Sequence, residues 1–217
     1  LNDRLYREAH EVFKDVNIYN VYGLTEAGPR VAAQRSDCCT SNSVGKPLNN
    51  IELVIVNEQG EPVRNGEYGI IHVNTPSRFN GYVEGLIKHK SLYDDWLNTG
   101  DIGFIDNFGE LHIVDRVDNM IIIHTHKIYP RDIEKLILEK TQIVDCAVAK
   151  YSNDSGDAIG CLYVGKTIMA TDIIRQLRKA LMPYEIPKSF VRTDALPRNI
   201  FGKVSTKEVE RILSLNE

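Results

Sequence analysis

DRVDNMIIIHTHKIYPRDIEKLILEKT, residues 115–141, contains the change of pattern on which the fold turns. The apolar run MIII reads as a strand. Pro130 then stands at a favourable first helical position, where its missing N–H is no loss, ahead of RDIEKLILEKT. Working back from Asp115, residues 51–115 read as short strands separated by turns: IELVIVNEQGEPV, YGIIHVN and GFIDNFGELHIV. Alternation in IELVIV and GIIHV predicts half-buried antiparallel strands, with Asn57–Gly60 and Asp106–Gly109 as hairpin turns. The start, LNDRLYREAHEVF, has an amphipathic helical pattern.

Working forward from Thr141, two β-like runs, IVDCAVAKY and AIGCLYVG, precede a helix, TDIIRQLRKALM, that Pro183 closes. Strand, helix, two strands and helix predict a compact α+β unit of about 100 residues. The joint falls at Arg116–Asp118, which divides the chain into residues 1–117, mainly β, and 118–217, within an overall α/β (α+β) class.

Composition narrows the function classes. The 217 residues are 42% hydrophobic and 26% charged, enough for one good core or two small ones. A formal charge of −4 offers no general attraction to nucleic acid or anionic membrane. No apolar run approaches the roughly 18 residues of a membrane span, and the start does not read as a signal peptide, so a cytoplasmic setting is expected. Cys38, Cys39, Cys146 and Cys161 show no zinc-ligand spacing and are expected to be reduced thiols.

Six short patterns carry the chemistry: YGLTEAG (22–28), NTGDIGFID (98–106), DRVDNMIII (115–123), KIYPRDIE (127–134), LMPYEIP (181–187) and LPRNIFGKV (196–204). In isolation YGLTE reads as an ordinary turn, Asp101 as a turn carboxylate, Asp118 as a solvated loop residue and Lys203 as an exposed loop lysine. GKVST is not a P-loop, since the first glycine is missing and valine stands at the Ser/Thr position.

In this order the six patterns resemble those of the adenylate-forming ligases, the superfamily of acyl-CoA synthetases, peptide-synthetase adenylation domains and luciferases. The resemblance covers nearly the whole chain. It implies that residues 1–117 are the C-terminal, β-rich part of a large domain and 118–217 a small mobile lid, with Asp118 as the hinge. It implies ATP/AMP and magnesium as cofactors. Tyr22 would offer its ring to adenine, with Gly23 beside it, Thr25 a hydroxyl to the α-phosphate and Glu26 a hard oxygen to magnesium. Asp101 would hold the ribose hydroxyls, Arg116 would add a second nucleotide contact, and Lys203 would meet charge developing at the carboxylate and α-phosphate.

The implied activity is ATP-dependent activation of a small carboxylic acid as acyl-AMP, followed by transfer to a thiol. KIYPRDIE and LPRNIFGKV look more like acyl-CoA synthetases or fatty acyl-AMP ligases than amino-acid adenylation domains, which remain an alternative. The family's Gly/Ser/Thr-rich phosphate loop, which lies upstream of YGLTE, is not in this sequence. The expectation is therefore a C-terminal fragment or one chain of a split enzyme, inactive alone; a non-catalytic module derived from such a ligase is the alternative of a different class.

Two departures stand out. HTHKIYP carries His124, Thr125 and His126 where acyl-CoA synthetases tend to have glycines beside the pantetheine passage. Coenzyme A and the phosphopantetheine of an acyl- or peptidyl-carrier protein are both candidate acceptors for that reason. As alternate strand residues, the two histidines would share one face with no third metal ligand. Asp115 replaces a glycine usual before the arginine, and nothing in the sequence explains it.

Overall fold

The computed structural model describes residues 3–14, 16–35, 43–81, 95–153, 156–200 and 202–216. The chain forms two compact units, Leu1–Asp118 and Asn119–Glu217.

The first unit begins with helix α1 (Asp3–Val12) and then builds two antiparallel sheets. Strands β1 (Tyr19–Leu24), β2 (Gly28–Arg35) and β3 (Lys46–Pro47) pair in the order β1-β2-β3. Strands β4 (Glu52–Val56), β5 (Gly69–Asn74), β6 (Leu97–Ile105) and β7 (Leu111–Arg116) form a meander in chain order. Val31 and Ala32 from the first sheet meet Ile55, Ile71, Val73, Leu97 and Leu111 from the second in one core. Both expected turns form. Asn57 Oδ1 accepts the N–H groups of Gln59 (3.0 Å) and Glu61 (2.9 Å), and Asp106 Oδ1 those of Phe108 and Glu110 (both 2.9 Å). An Asx side chain that satisfies two turn amides is the local reason the strands reverse there.

Strand β5 is buried on both sides: Ile71 and Val73 are fully covered, and His72, on the opposite face, is only 2% exposed. His72 lies in register between Val54 of β4 and Asn98 of β6, and its Nδ1 has no hydrogen-bond partner among the described residues. Burial pulls its pKa below the ordinary 6.5. The unfolded chain therefore takes up this proton first as pH falls, and stability drops between the unfolded value and the lower folded one. In denaturant titrations at pH 7.5 and 5.5, His72→Phe should lose less stability on acidification than the parent protein. An unchanged loss would remove His72 from the account.

The second unit opens with the two-stranded ribbon β8 (Ile121–Ile123) and β9 (His126–Ile128), followed by α2 (Pro130–Lys140) with Pro130 in its first turn. Strands β10 (Ile143–Asn153) and β11 (Gly156–Gly165) form an antiparallel hairpin; α3 (Ala170–Leu177) leads to β12 (Ser189–Thr193), which lies parallel to β11, and α4 (Thr206–Leu215) closes the unit. Alternation on the hairpin feeds two cores. Cys146, Val148, Ile159, Cys161 and Tyr163 pack with Ile133 and Ile137 of α2 and Ile173 and Leu177 of α3. Ala147, Ala149, Tyr151, Ala158 and Leu162 pack with Val209 and Leu213 of α4. A sheet covered on both faces needs apolar residues at consecutive positions, hence the unbroken runs AVA and AIGCLYV.

The structure adds elements to the expected α+β unit, namely β9, β12 and α4, and adds the β1–β2 hairpin to the first unit. It also shortens one. Helix α3 ends at Leu177, its last buried residue, because Lys179 and Ala180 turn back with N–H bonds to Gln176 (3.3 Å) and Leu177 (3.0 Å); Pro183 instead opens a short 3₁₀ turn, Pro183–Glu185. Cys146 and Cys161 are buried free thiols, while Cys38 and Cys39 lie outside the described residues. No described helix is long and apolar enough to cross a membrane.

Candidate active site

Tyr22 and Gly23 lie on β1, and Thr25 and Glu26 in the tight turn that joins it to β2. The register between these strands shifts between Tyr22 and Leu24. Gly23 sits at that irregularity, where a Cβ would stand 2.3 Å from the Pro29 carbonyl oxygen, so only glycine lets the strands close. The turn is fixed by two backbone bonds, Ala27 N–H to Leu24 O (3.1 Å) and Phe79 N–H to Glu26 O (2.9 Å), with Ala27 anchored in the core. Thr25 is exposed and Glu26 half-buried.

Asp101 ties this hairpin to the second sheet of the same unit. The Tyr22 hydroxyl donates to Asp101 Oδ2 at 2.6 Å. Burial first, and then the carboxylate's charge, hold the Tyr22 phenol far above its ordinary pKa, so it remains a donor. The Asp101 backbone is pinned by its neighbours: Asp101 N–H donates to Thr99 Oγ1 (3.1 Å), and that hydroxyl donates to Ile71 O (2.9 Å). Across the β6–β7 ladder, Asp101 is in register with Arg116, whose Nη1 donates to Asp101 Oδ1 at 3.4 Å. The other prong, Nη2, lies 3.5 Å from Asp118 Oδ2 in the 3₁₀ turn Val117–Asn119. Tyr22, Asp101, Arg116 and Asp118 are thus one connected polar row.

Each Asp101 oxygen receives one of these bonds, and an ionised carboxylate accepts about four, so capacity for two further hydroxyl donors remains. The Tyr22 ring packs beside the first-unit core while its hydroxyl is committed to Asp101. Glu26 and Thr25 together offer a carboxylate and a hydroxyl at a hairpin tip. That donor set suits magnesium, which takes one or two protein oxygens and completes its shell with phosphate and water.

Asp115 has a local structural role. It is fully buried and its Oδ1 accepts the N–H of Arg116 at 2.7 Å, so the residue braces the backbone that carries the arginine. Thr99 and Asn98 were not singled out in the sequence, yet they hold the Asp101 turn: Asn98 Oδ1 accepts Gly100 N–H at 2.9 Å. A threonine two residues before an aspartate is too common a signal to find them by.

The histidines depart from expectation. His124 is in the β8–β9 turn with φ 56°, in the left-handed region that favours glycine, and only His126 is on a strand. They therefore do not alternate along one strand face. His126 stacks on Tyr184, with ring centroids 4.0 Å apart and planes 7° from parallel. A different group, Asp106, Glu110 and His112, brings three potential ligand atoms within 4.8 Å. Its members are explained by the turn and the sheet: Asp106 caps the turn and pairs with His112 Nε2 at 3.0 Å, and Glu110 accepts from Gln34 at 2.9 Å. Lys203 belongs to the second unit, exposed on a tight turn.

The profile of AMP-binding enzymes, the AMP-binding family, matches residues 1–83. A long-chain-fatty-acid–CoA ligase of Salmonella typhimurium is 33% identical over 193 residues, covering 87% of this chain and 34% of the ligase. The structure superposes on O-succinylbenzoate coenzyme A synthetase of Bacillus subtilis in complex with AMP at a TM-score of 0.83 and 27% identity, covering 95% of this chain and 43% of that one. The same enzyme with ATP and magnesium ion gives 0.81 at 26% identity, over 96% of this chain and 44% of that one. The chain thus spans well under half the length of these relatives.

Proposed function

Given that the chain belongs to the adenylate-forming ligases, on their acyl-CoA ligase side, we propose that it works within a longer enzyme that activates a small carboxylic acid with ATP and passes it to a thiol. In the first half-reaction a carboxylate oxygen bonds to the α-phosphorus of ATP and pyrophosphate leaves. In the second, a thiol sulfur bonds to the acyl carbon, its proton is lost and AMP leaves.

The observation that carries this reading is the hydrogen-bonded unit Tyr22–Asp101–Arg116, which joins the hairpin bearing Thr25 and Glu26 to the meander. Asp101, held at its backbone by Thr99 and at its side chain by Tyr22, presents fixed acceptor oxygens to the ribose. Arg116 adds a cation beside it, and Thr25 a hydroxyl for the α-phosphate. Tyr22 keeps its ring in place through that same bond, available to adenine, and Gly23 allows the close strand approach. Magnesium would be held by Glu26 and would neutralise phosphate charge when bound. Lys203 is the proposed cation for the adenylation step, and Asp118 the proposed joint between the large domain's end and a mobile lid, Asn119 onward.

Mixing the complete ligase with ATP and a panel of carboxylic acids should yield acyl-AMP, trapped as a hydroxamate, with stoichiometric pyrophosphate. Failure with every acid would favour a non-catalytic module.

The acceptor thiol is that of coenzyme A or of a carrier-bound phosphopantetheine. His124 in a left-handed turn and the His126–Tyr184 stack put side chains where the family tends to use glycine. These side chains would narrow the passage for the pantetheine arm that coenzyme A and a carrier-bound phosphopantetheine share. His124→Gly removes backbone strain as well as bulk. Together with Thr125→Gly it should raise coenzyme A-dependent turnover several-fold, an order-of-magnitude expectation for reopening a close backbone approach. Efficient use of coenzyme A by the unmodified enzyme would end the idea.

A further inference from the structure

The turn that carries Lys203 is a closed hairpin. Asn199 N–H donates to Lys203 O at 2.7 Å, Lys203 N–H to Asn199 Oδ1 at 3.0 Å, and Gly202 N–H to Asn199 O at 2.9 Å. Gly202 has φ 78°, which the reversal requires. Below it, Arg198 and Val204 face each other in an antiparallel bridge, and Val204 packs against the core beneath α4. Alternation then turns Lys203 away from that core, consistent with its exposure.

The hairpin is also tied to the rest of the unit. Arg198 Nη1 donates to Gly202 O at 2.9 Å, the residue immediately before the lysine. Arg198 Nη2 donates to Asp145 Oδ2 at 2.7 Å, 53 residues away in sequence. Asp145 adjoins the register irregularity near the start of β10, an edge strand of the three-stranded sheet. One guanidinium therefore bridges the lysine turn and the sheet. The fork geometry makes this possible, because its two prongs are rigidly related and reach acceptors on different elements at once.

We infer that Asp145 and Arg198 are positioning residues that hold the Lys203 turn for adenylation, an inference that rests on the role proposed above for Lys203. Stability alone is a weak reason for the pair. Its side chains are 46% and 40% exposed, and ion pairs this wet contribute little to folding. Geometry is a better reason, since small misplacement of a group that acts at a reacting centre costs far more in rate than in fold stability.

The test uses the complete ligase and measures the two half-reactions separately. Asp145→Asn keeps the shape and removes the charge. It should slow acyl-AMP formation by on the order of tenfold, with the KM for ATP unchanged, thiol transfer from supplied acyl-AMP within about twofold and the thermal midpoint near that of the parent. Arg198→Lys, which keeps a charge but lacks the two-pronged reach, should behave likewise and serves if Asp145→Asn does not fold. In a Lys203→Ala background, Asp145→Asn should cost nothing further, since nothing remains to position. No loss, equal loss in both half-reactions, or the same fractional loss without the lysine would overturn the inference. A Lys203→Ala enzyme that adenylates normally would instead remove the underlying role of the lysine.

Discussion

Lys203→Ala in the complete ligase should lower the rate of acyl-AMP formation by roughly 10²–10³-fold, the usual cost of one preorganised electrostatic contact at a reacting centre. Transfer of the acyl group from supplied acyl-AMP to a thiol should be nearly unaffected. The asymmetry follows from the proposed chemistry. Only in the first step does the α-phosphorus take on a fifth oxygen while pyrophosphate leaves, and the proposed role places the ammonium, on its flexible four-carbon stem, at that charge. The lysine is exposed, and its own backbone is fixed through Asn199, so the substitution should leave the fold unchanged. Rapid-quench measurement of each half-reaction decides the matter, and comparable losses in both would reject a step-specific role.

The second large effect is expected at Asp101. Asp101→Ala removes the carboxylate that receives Tyr22 at 2.6 Å and Arg116 at 3.4 Å, and its side chain is only 13% exposed. Two consequences separate by size. Leaving the Tyr22 hydroxyl half-buried without its acceptor should cost about 1–3 kcal/mol of stability. Losing two charge-assisted bonds to a ribose, each worth about 1.5–3 kcal/mol, should weaken nucleotide binding by on the order of 10²-fold or more. Tyr22→Phe distinguishes the two, because it leaves Asp101 its charge and both oxygens. Its effect on AMP affinity should be far smaller than that of Asp101→Ala. Near-parental AMP affinity in a folded Asp101→Ala protein would show that the aspartate serves only the fold.

The polar residues of the candidate site stand out in the sequence because the short patterns that hold them are local: YGLTE is a single hairpin tip, TGD a single stretch of β6. The change of pattern at Arg116–Asp118 stands out for a similar reason, since alternating strands give way to an apolar run and a proline-led helix within a few residues, and the two compact units divide after Asp118. What joins these pieces does not. Tyr22 reaches Asp101 across 79 residues, and the Thr99 hydroxyl that holds Asp101 bonds to a carbonyl of β5, 28 residues away. No pattern in one dimension records such contacts. The β1–β2 hairpin escaped because β1 is only half-buried and carries Gly23, while β2 begins Gly28–Pro29, residues that otherwise signal a turn. Strand β12 is five residues long and is made a strand by parallel pairing with β11, which depends on the crossover through α3. Helix α3 is shorter than a stop at Pro183 predicts, because it ends at its last buried side chain, Leu177.

Asp115 and His124 show a further kind of information. A buried aspartate before Arg116 is unexplained as a letter, but its oxygen caps the backbone N–H of that arginine, so the departure from glycine is absorbed locally. A histidine after Ile123 gives no hint of φ 56°, yet that angle says the position still has the backbone a glycine would take. His124 thus places a ring on a backbone angle that glycine adopts without strain.

Isotopic exchange between ATP and pyrophosphate, in the presence of the cognate acid, tests the central claim most directly when run on the complete ligase and on residues 1–217 alone. Exchange requires reversible adenylate formation, and hence both the nucleotide residues proposed on this chain and the phosphate loop expected outside it. The account predicts acid-dependent exchange by the complete ligase, its loss on Asp101→Ala, and none by the 217 residues alone. Exchange catalysed by the 217 residues alone, or a complete ligase that exchanges with no acid, would contradict it.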